Sequence, residues 1–255
     1  MAWRDGRVQH WLDEERLDRG LAIVLPGVEG RSWWNRRIAR GLIDGGAPQA
    51  VDIFDWTAGP LLMLYNLRSR KLHREQVARL REKVLTYQAE RPGRPVWLLG
   101  HSGGGALSLL TLAALPDGVR IAGAVLLCPA ISPGFDLRPA LAHVERGIWN
   151  VSSWGDLLFL GAFTTLFGTV DGRHVPAAGA CGFRSTGESV DARSSPAAGP
   201  PLIEMPWRPA MARDGNLGGH FGCVRRRFIA RWVAPLLQDA GQPASPLAQP
   251  PSPDR

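Results

Sequence analysis

The most constraining stretch of this sequence is Gly100-His101-Ser102-Gly103-Gly104, set between the apolar run Val96-Trp97-Leu98-Leu99 and the helical pattern Ala106-Leu107-Ser108-Leu109-Leu110. Glycines two places either side of a serine allow a strand to turn into a helix more tightly than side chains there would permit. The serine between them is held in a strained backbone conformation that lifts its hydroxyl clear of the strand end. The helix that begins directly behind it points free N–H groups and the positive end of its dipole at the same spot, where a developing negative charge would be stabilised. The Gly103 N–H is the first expected donor.

A turn of this kind needs a buried strand and a helix packed across it, and the rest of the chain supplies a repeating pattern of both. Short β-branched or apolar runs fall at residues 21–25, 50–54, 96–99, 121–127, 147–152 and 202–205. Helical periodicity falls between and after them, at 34–44, 74–89, 104–114, 139–145 and 224–237. Alternating strands and helices predict an α/β fold, with a mostly parallel central sheet and helices on both faces. At 255 residues and 45% apolar, the chain has material for one such domain, expected over residues 1–240. The stretch 184–201, rich in Ser, Gly and Ala, and the Pro/Ser/Gln-rich tail 241–255 read as disordered. No internal repeat is present, and the connection 127–147 is too short for a large cap, so an open site is expected.

Composition narrows the function classes. The net charge is +7 and the pI near 10.3, but the arginines are scattered and lack the clustered, aromatic-interleaved pattern of a nucleic-acid surface. No nucleic-acid partner is expected. Residues 1–19 mix charged side chains throughout, unlike a signal peptide, and the apolar stretch 157–170 is too short to span a membrane, so a soluble cytoplasmic protein is expected. Cys128, Cys181 and Cys223 are odd in number and widely spaced, which fits reduced thiols and no metal motif. Trp56, Trp154 and Trp207 read as core, with an acyl pocket as the alternative.

With the motif in this strand-turn-helix setting, the chain resembles the α/β-hydrolase superfamily in its compact esterase-like or lipase-like form, from Leu21 to about Leu237. The resemblance implies that Ser102 is a nucleophile. It also implies a second oxyanion donor in the loop after an early strand, here Leu25-Pro26-Gly27-Val28-Glu29-Gly30, with the Val28 N–H in that role; Pro26 stands where the family usually has His, and a plain glycine turn is the alternative.

A serine hydroxyl needs an imidazole to take its proton. Of six histidines, His10 and His73 lie in charged stretches, His143 on an expected helix, and His101 beside the nucleophile with its ring expected to point elsewhere. His220 lies in Gly218-Gly219-His220-Phe221-Gly222, a loop after the last strand, where the family carries its base, and the order Ser, acid, His is also the family's. Two aspartates compete to orient it. Asp156 follows the fifth strand, the family's acid position; Asp171 lies in Gly168-Thr169-Val170-Asp171-Gly172-Arg173-His174-Val175-Pro176, which is spelled like the family's acid loop and could follow a strand at 163–167. Accepting Asp171 would leave the 147–152 strand without a place, so Asp156 is preferred, with Asp171 the alternative and His174 a surface or supporting residue.

The resemblance thus implies hydrolysis of a small carboxylic ester through an acyl-enzyme intermediate, with no cofactor or metal. Thioester or amide cleavage would use the same residues, and a non-catalytic binding module of the same fold is the alternative from another class. The run Pro60-Leu61-Leu62-Met63-Leu64-Tyr65 reads as core packing, with a pocket cover or lipid contact as the other reading.

Overall fold

The computed structural model describes residues 11–184 and 200–238; the tail 241–255 and nearly all of 184–201 lie outside the described residues. Six strands form one all-parallel sheet: β1 (Leu21–Leu25), β2 (Ala50–Ile53), β3 (Val96–His101), β4 (Ile121–Leu127), β5 (Val144–Ser152) and β6 (Leu202–Pro206), in the order β2-β1-β3-β4-β5-β6. Every residue of β1, β3 and β4 is buried, as continuous apolar runs demand when both faces of a parallel sheet are covered.

Alternation along the strands divides the core in two. Ala22, Val24, Trp97, Leu99, Val125 and Leu127 face α1 (Trp33–Asp44) and the C-terminal helical segment of residues 226–238, through Ile38, Leu42, Phe228 and Val233. Leu21, Ile23, Leu25, Leu98, Ala124 and Leu126 face α3 (Arg70–Glu90) and α4 (Gly103–Leu112), through Leu80, Val84, Leu107 and Leu109. Each fully buried Leu or Ile contributes on the order of 1.5–3 kcal/mol. A short helix α2 (Met63–Arg68) precedes α3 on the loop side.

Several expected boundaries shift. The helix expected at 139–145 ends at Leu141, because Val144 already pairs with Ile121. Residues 163–167, considered above as a strand, are helical: a π-helical turn, Leu157–Phe163, runs into the helix Thr164–Phe167. Of the three tryptophans read as core, Trp56 is fully buried, whereas Trp154 is 69% exposed. The run 60–65 is not core either; Leu61 is 97% exposed and the four residues after it are about half exposed. Among the described residues no helix is long and apolar enough to cross a membrane. All three cysteines are free thiols.

The sheet order places the site. From β1 the chain steps outward to β2 and then returns to the other side of β1 with β3, so the carboxyl ends of β1 and β3 flank a crevice where the winding reverses. The loop bearing Val28 leaves β1 there, and Ser102 follows β3.

Candidate active site

Ser102 has φ 51° and ψ −117°, a conformation that L-residues rarely adopt. Its N–H donates to the Leu127 carbonyl at 3.0 Å, and its own carbonyl accepts from Gly105 and Ala130, each at 3.0 Å. The flanking glycines are required by close backbone approach. A Cβ on Gly100 would lie 2.3 Å from the Gly104 carbonyl oxygen, and one on Gly104 would lie 2.4 Å from that of Pro26. The helix start is therefore pressed against the Val28 loop.

Gly103 is the first residue of α4, and the first N–H groups of a helix have no intrahelical acceptor. Val28 is its neighbour: a Cβ on Gly103 would meet Val28 Cγ1 at 2.9 Å. Two side chains hold this loop, Trp56, read from the sequence as core, and Asn66, which the sequence reading missed. Trp56 Nε1 donates to the Pro26 carbonyl at 2.7 Å, and Asn66 Nδ2 donates to the Val28 carbonyl at 2.9 Å. Asn66 also donates to the Gly59 carbonyl and accepts from the Ala58 N–H, each at 2.9 Å, so all its side-chain hydrogen bonds serve to fix loop to loop. A lone amide in Leu64-Tyr65-Asn66-Leu67 was the available signal: a buried Asn must be satisfied.

His220 and Asp156 meet from different loops. The His220 Nδ1–H donates to Asp156 Oδ2 at 2.5 Å, with both side chains buried. Such a contact fixes the tautomer and leaves Nε2 bare to accept a proton. The loop is shaped by Asn216, whose Oδ1 accepts from the Gly218 N–H at 3.1 Å, and by Trp207, whose Nε1 donates to the Asn216 carbonyl at 2.7 Å. Ser153 Oγ donates to the Gly218 carbonyl, tying this loop to the one bearing Asp156. Asp171 is elsewhere: its carboxylate accepts from the Ser132 N–H at 3.0 Å, from Ser132 Oγ, and from Thr169 Oγ1 at 2.5 Å. His174 is exposed and contacts the Thr165 carbonyl at 3.2 Å.

His101 was expected to point away from the site, and it does not. Its fully buried ring packs on that of His220 with centroids 4.8 Å apart, and its Nε2 lies 3.2 Å from the His220 carbonyl oxygen. His101 thereby brings the His220 loop against the serine turn. Its Nδ1 is 3.8 Å from Glu29 Oε1. Burial alone would strip His101 of its proton, but Cys223 and Glu29 together outweigh it and push the ring up to about 10. Glu29 responds in the opposite sense: burial favours its neutral form, yet His101 holds it below its ordinary value.

An aromatic wall continues from the imidazole. Phe159 stacks on His220 at 5.0 Å, Phe221 meets it edge-on at 5.1 Å, and Phe221 stacks in turn on Trp34 at 4.6 Å.

Residues 74–157, about a third of the chain, match the family model described as serine aminopeptidase, S33. No curated protein matches the sequence. Among solved structures, a protein of Xanthomonas campestris pv. campestris assigned to the α/β superfamily of hydrolases is 21% identical, covering 87% of this chain and 99% of its own, with a TM-score of 0.48. The poly(3-hydroxybutyrate) depolymerase LpqC of Bordetella parapertussis is 17% identical over 91% of this chain and 84% of its own, with a TM-score of 0.49. Esterase B of Lactobacillus rhamnosis is 14% identical over 81% and 69%, with a TM-score of 0.41. These scores are too low for the neighbours' activities to bear on this chain, whose strand order and serine turn speak for themselves.

Proposed function

We propose that this chain is a serine hydrolase of the α/β-hydrolase superfamily that cleaves carboxylic esters, with Ser102, His220 and Asp156 as its triad. Ser102 Oγ attacks the ester carbonyl while His220 Nε2 takes its proton; Asp156 stabilises the imidazolium, and the Gly103 and Val28 N–H groups hold the oxyanion. Collapse releases the alcohol with a proton returned from His220, and water then cleaves the acyl-enzyme by the same steps reversed in role. The chemistry asks nothing of a metal or cofactor.

The single observation that carries this reading is the Asp156–His220 contact, made between loops that follow β5 and β6, at the same sheet edge as a serine in a strained strand-to-helix turn. An ester suits the surroundings better than a peptide amino terminus, which would call for a free carboxylate. The carboxylates on the loops of this edge are engaged within the protein: Glu29 with His101, Asp55 with Thr57, Asp171 with Ser132, and Asp214 with Trp232.

The test is labelling of Ser102 by a fluorophosphonate together with turnover of short-chain aryl esters. Ser102→Ala is expected to lose the label and roughly 10⁴- to 10⁶-fold in kcat. Equal turnover by the two proteins would remove Ser102 from the mechanism, and a folded wild type that takes no label would favour a binding module instead. A lipase-like variant of the reading, action at the boundary between lipid and water, is favoured by the exposed apolar run at Leu61 to Tyr65.

A further inference from the structure

At the far end of the aromatic wall, two arginines share one indole. The Arg37 guanidinium lies 5.3 Å from the Trp34 ring centroid and the Arg225 guanidinium 5.5 Å from it. The Arg37 guanidinium also sits over Trp33, at 3.7 Å from its ring centroid. Both arginines are half-buried, and among the described residues neither has a carboxylate partner, whereas their neighbours Arg226 and Arg231 are paired with Asp44 and Asp214. Two like charges brought to the same ring without a counter-ion repel each other, and the Arg37 guanidinium sits below its ordinary value because of burial first and Arg225 second. An anion bound near both would relieve that repulsion. Guanidinium groups whose faces rest on aromatic rings leave their N–H edges free for the oxygens of a carboxylate or phosphate.

The position is tied to the triad. Trp34 stacks on Phe221, which touches His220, and Arg225 lies five residues beyond His220 with its N–H donating to the Gly222 carbonyl at 3.2 Å. Trp33 and Trp34 open α1, directly after the loop that bears Val28. Phe221 and Trp34 thus connect the arginines to the His220 loop through packed rings.

We propose that Arg37 and Arg225 form an anion subsite that selects esters carrying a carboxylate or phosphate group remote from the scissile bond. The inference rests on the serine-hydrolase reading for its substrate but not for its binding site. Turnover of mono-4-nitrophenyl adipate is compared with that of 4-nitrophenyl valerate, which has a similar acyl length and no charge. Wild type is expected to favour the adipate monoester by about tenfold in kcat/KM at low salt, with the preference shrinking as salt screens the exposed charges. The double variant Arg37→Gln/Arg225→Gln is expected to bring that ratio to about one while keeping valerate turnover within about twofold, and Arg37→Lys/Arg225→Lys to restore part of it. A ratio near one in wild type, or a ratio unmoved in the Gln variant, would overturn the subsite.

A binding measurement separates this from the chemistry. Calorimetric titration of Ser102→Ala with benzoate and with phenyl phosphate reports the anion without turnover, and the better ligand names the anion class. Binding weakened about tenfold or more by the Gln pair supports the subsite even if Ser102 proves not to be a nucleophile. Absence of binding by both anions to Ser102→Ala, with wild type still taking the fluorophosphonate, would sink the subsite and leave the hydrolase standing.

Discussion

The Asp156 carboxylate has an imidazole as its charged-hydrogen-bond partner, whereas the Asp171 carboxylate is spent on two hydroxyls and a backbone N–H. The two should therefore fail differently when neutralised. Asp156→Asn keeps the shape but presents an amide that no longer stabilises the imidazolium, so kcat on an aryl ester is expected to fall by roughly 10³- to 10⁴-fold with little change in a urea melt. Asp171→Asn weakens charge-assisted bonds that fasten the loop to Ser132, so stability is expected to fall by about 1–3 kcal/mol with activity largely kept. Loss of turnover in a well-folded Asp171→Asn protein, with Asp156→Asn fully active, would reverse the assignment of the acid. The local turn motif pointed to Ser102 and Gly103, whereas Val28 and His220 became candidates through the family resemblance, supported by loop context and chain order. The choice between the aspartates was harder: the spelling around Asp171 imitates an acid loop, and its actual partner, Ser132, lies 39 residues away. His101 was misread for a similar reason, since which way a buried ring turns depends on Glu29 and on the His220 loop, neither of which is its sequence neighbour.

Helix α1 and the segment 226–238 approach each other closely enough that glycine is needed between them. A Cβ on Gly41 would lie 2.6 Å from Ile229 Cβ and 2.7 Å from the Arg226 carbonyl oxygen. Alanine is favoured over glycine inside a helix by up to about 1 kcal/mol, yet overpacking costs about 1–3 kcal/mol. Gly41→Ala is expected to lose about 1–2 kcal/mol in a urea melt. A more stable variant would show that the helices can separate at no cost, contrary to this packing. Apolar periodicity foretold these helices and all six strands, but it could not resolve their irregularities. Gly147 was taken as the start of β5, whereas the strand begins at Val144 and Gly147, at φ 138°, lies at the register shift opposite Ile121 and Gly123. A glycine within a strand is the usual mark of such a bulge. The last helix, read as continuous over 224–237, contains a π-helical turn at Ile229–Val233, and one extra residue per turn leaves little trace in a pattern of period 3.6.

At the scale of the whole molecule, the exposed large apolar side chains among the described residues fall mainly on the connections at one edge of the sheet. Among the described residues all of them except Leu12 lie on segments that follow the carboxyl ends of strands: Trp33 after β1, Leu61 to Tyr65 after β2, Trp154, Phe159 and Leu166 after β5, and Leu217 after β6. The α2 segment joins the others through Asn66, which holds the Val28 loop, and Arg68, which donates to the Phe167 carbonyl. Sequence alone placed the run 60–65 in the core because five apolar residues in succession normally need one; the fold leaves them in water around the candidate mouth. Apolar surface of this extent is costly unless something apolar meets it. If the protein acts on esters held in a lipid phase, Leu61→Asp/Leu64→Asp should reduce turnover of emulsified tributyrin by about tenfold or more, since each buried leucine is worth about 1.5–3 kcal/mol when fully withdrawn from water. Turnover of dissolved 4-nitrophenyl acetate should stay within about twofold, because neither side chain is part of the triad or the oxyanion loop. Equal losses on both substrates would place these leucines in the pocket itself, and no loss on either would mean that the protein meets its substrate singly in solution.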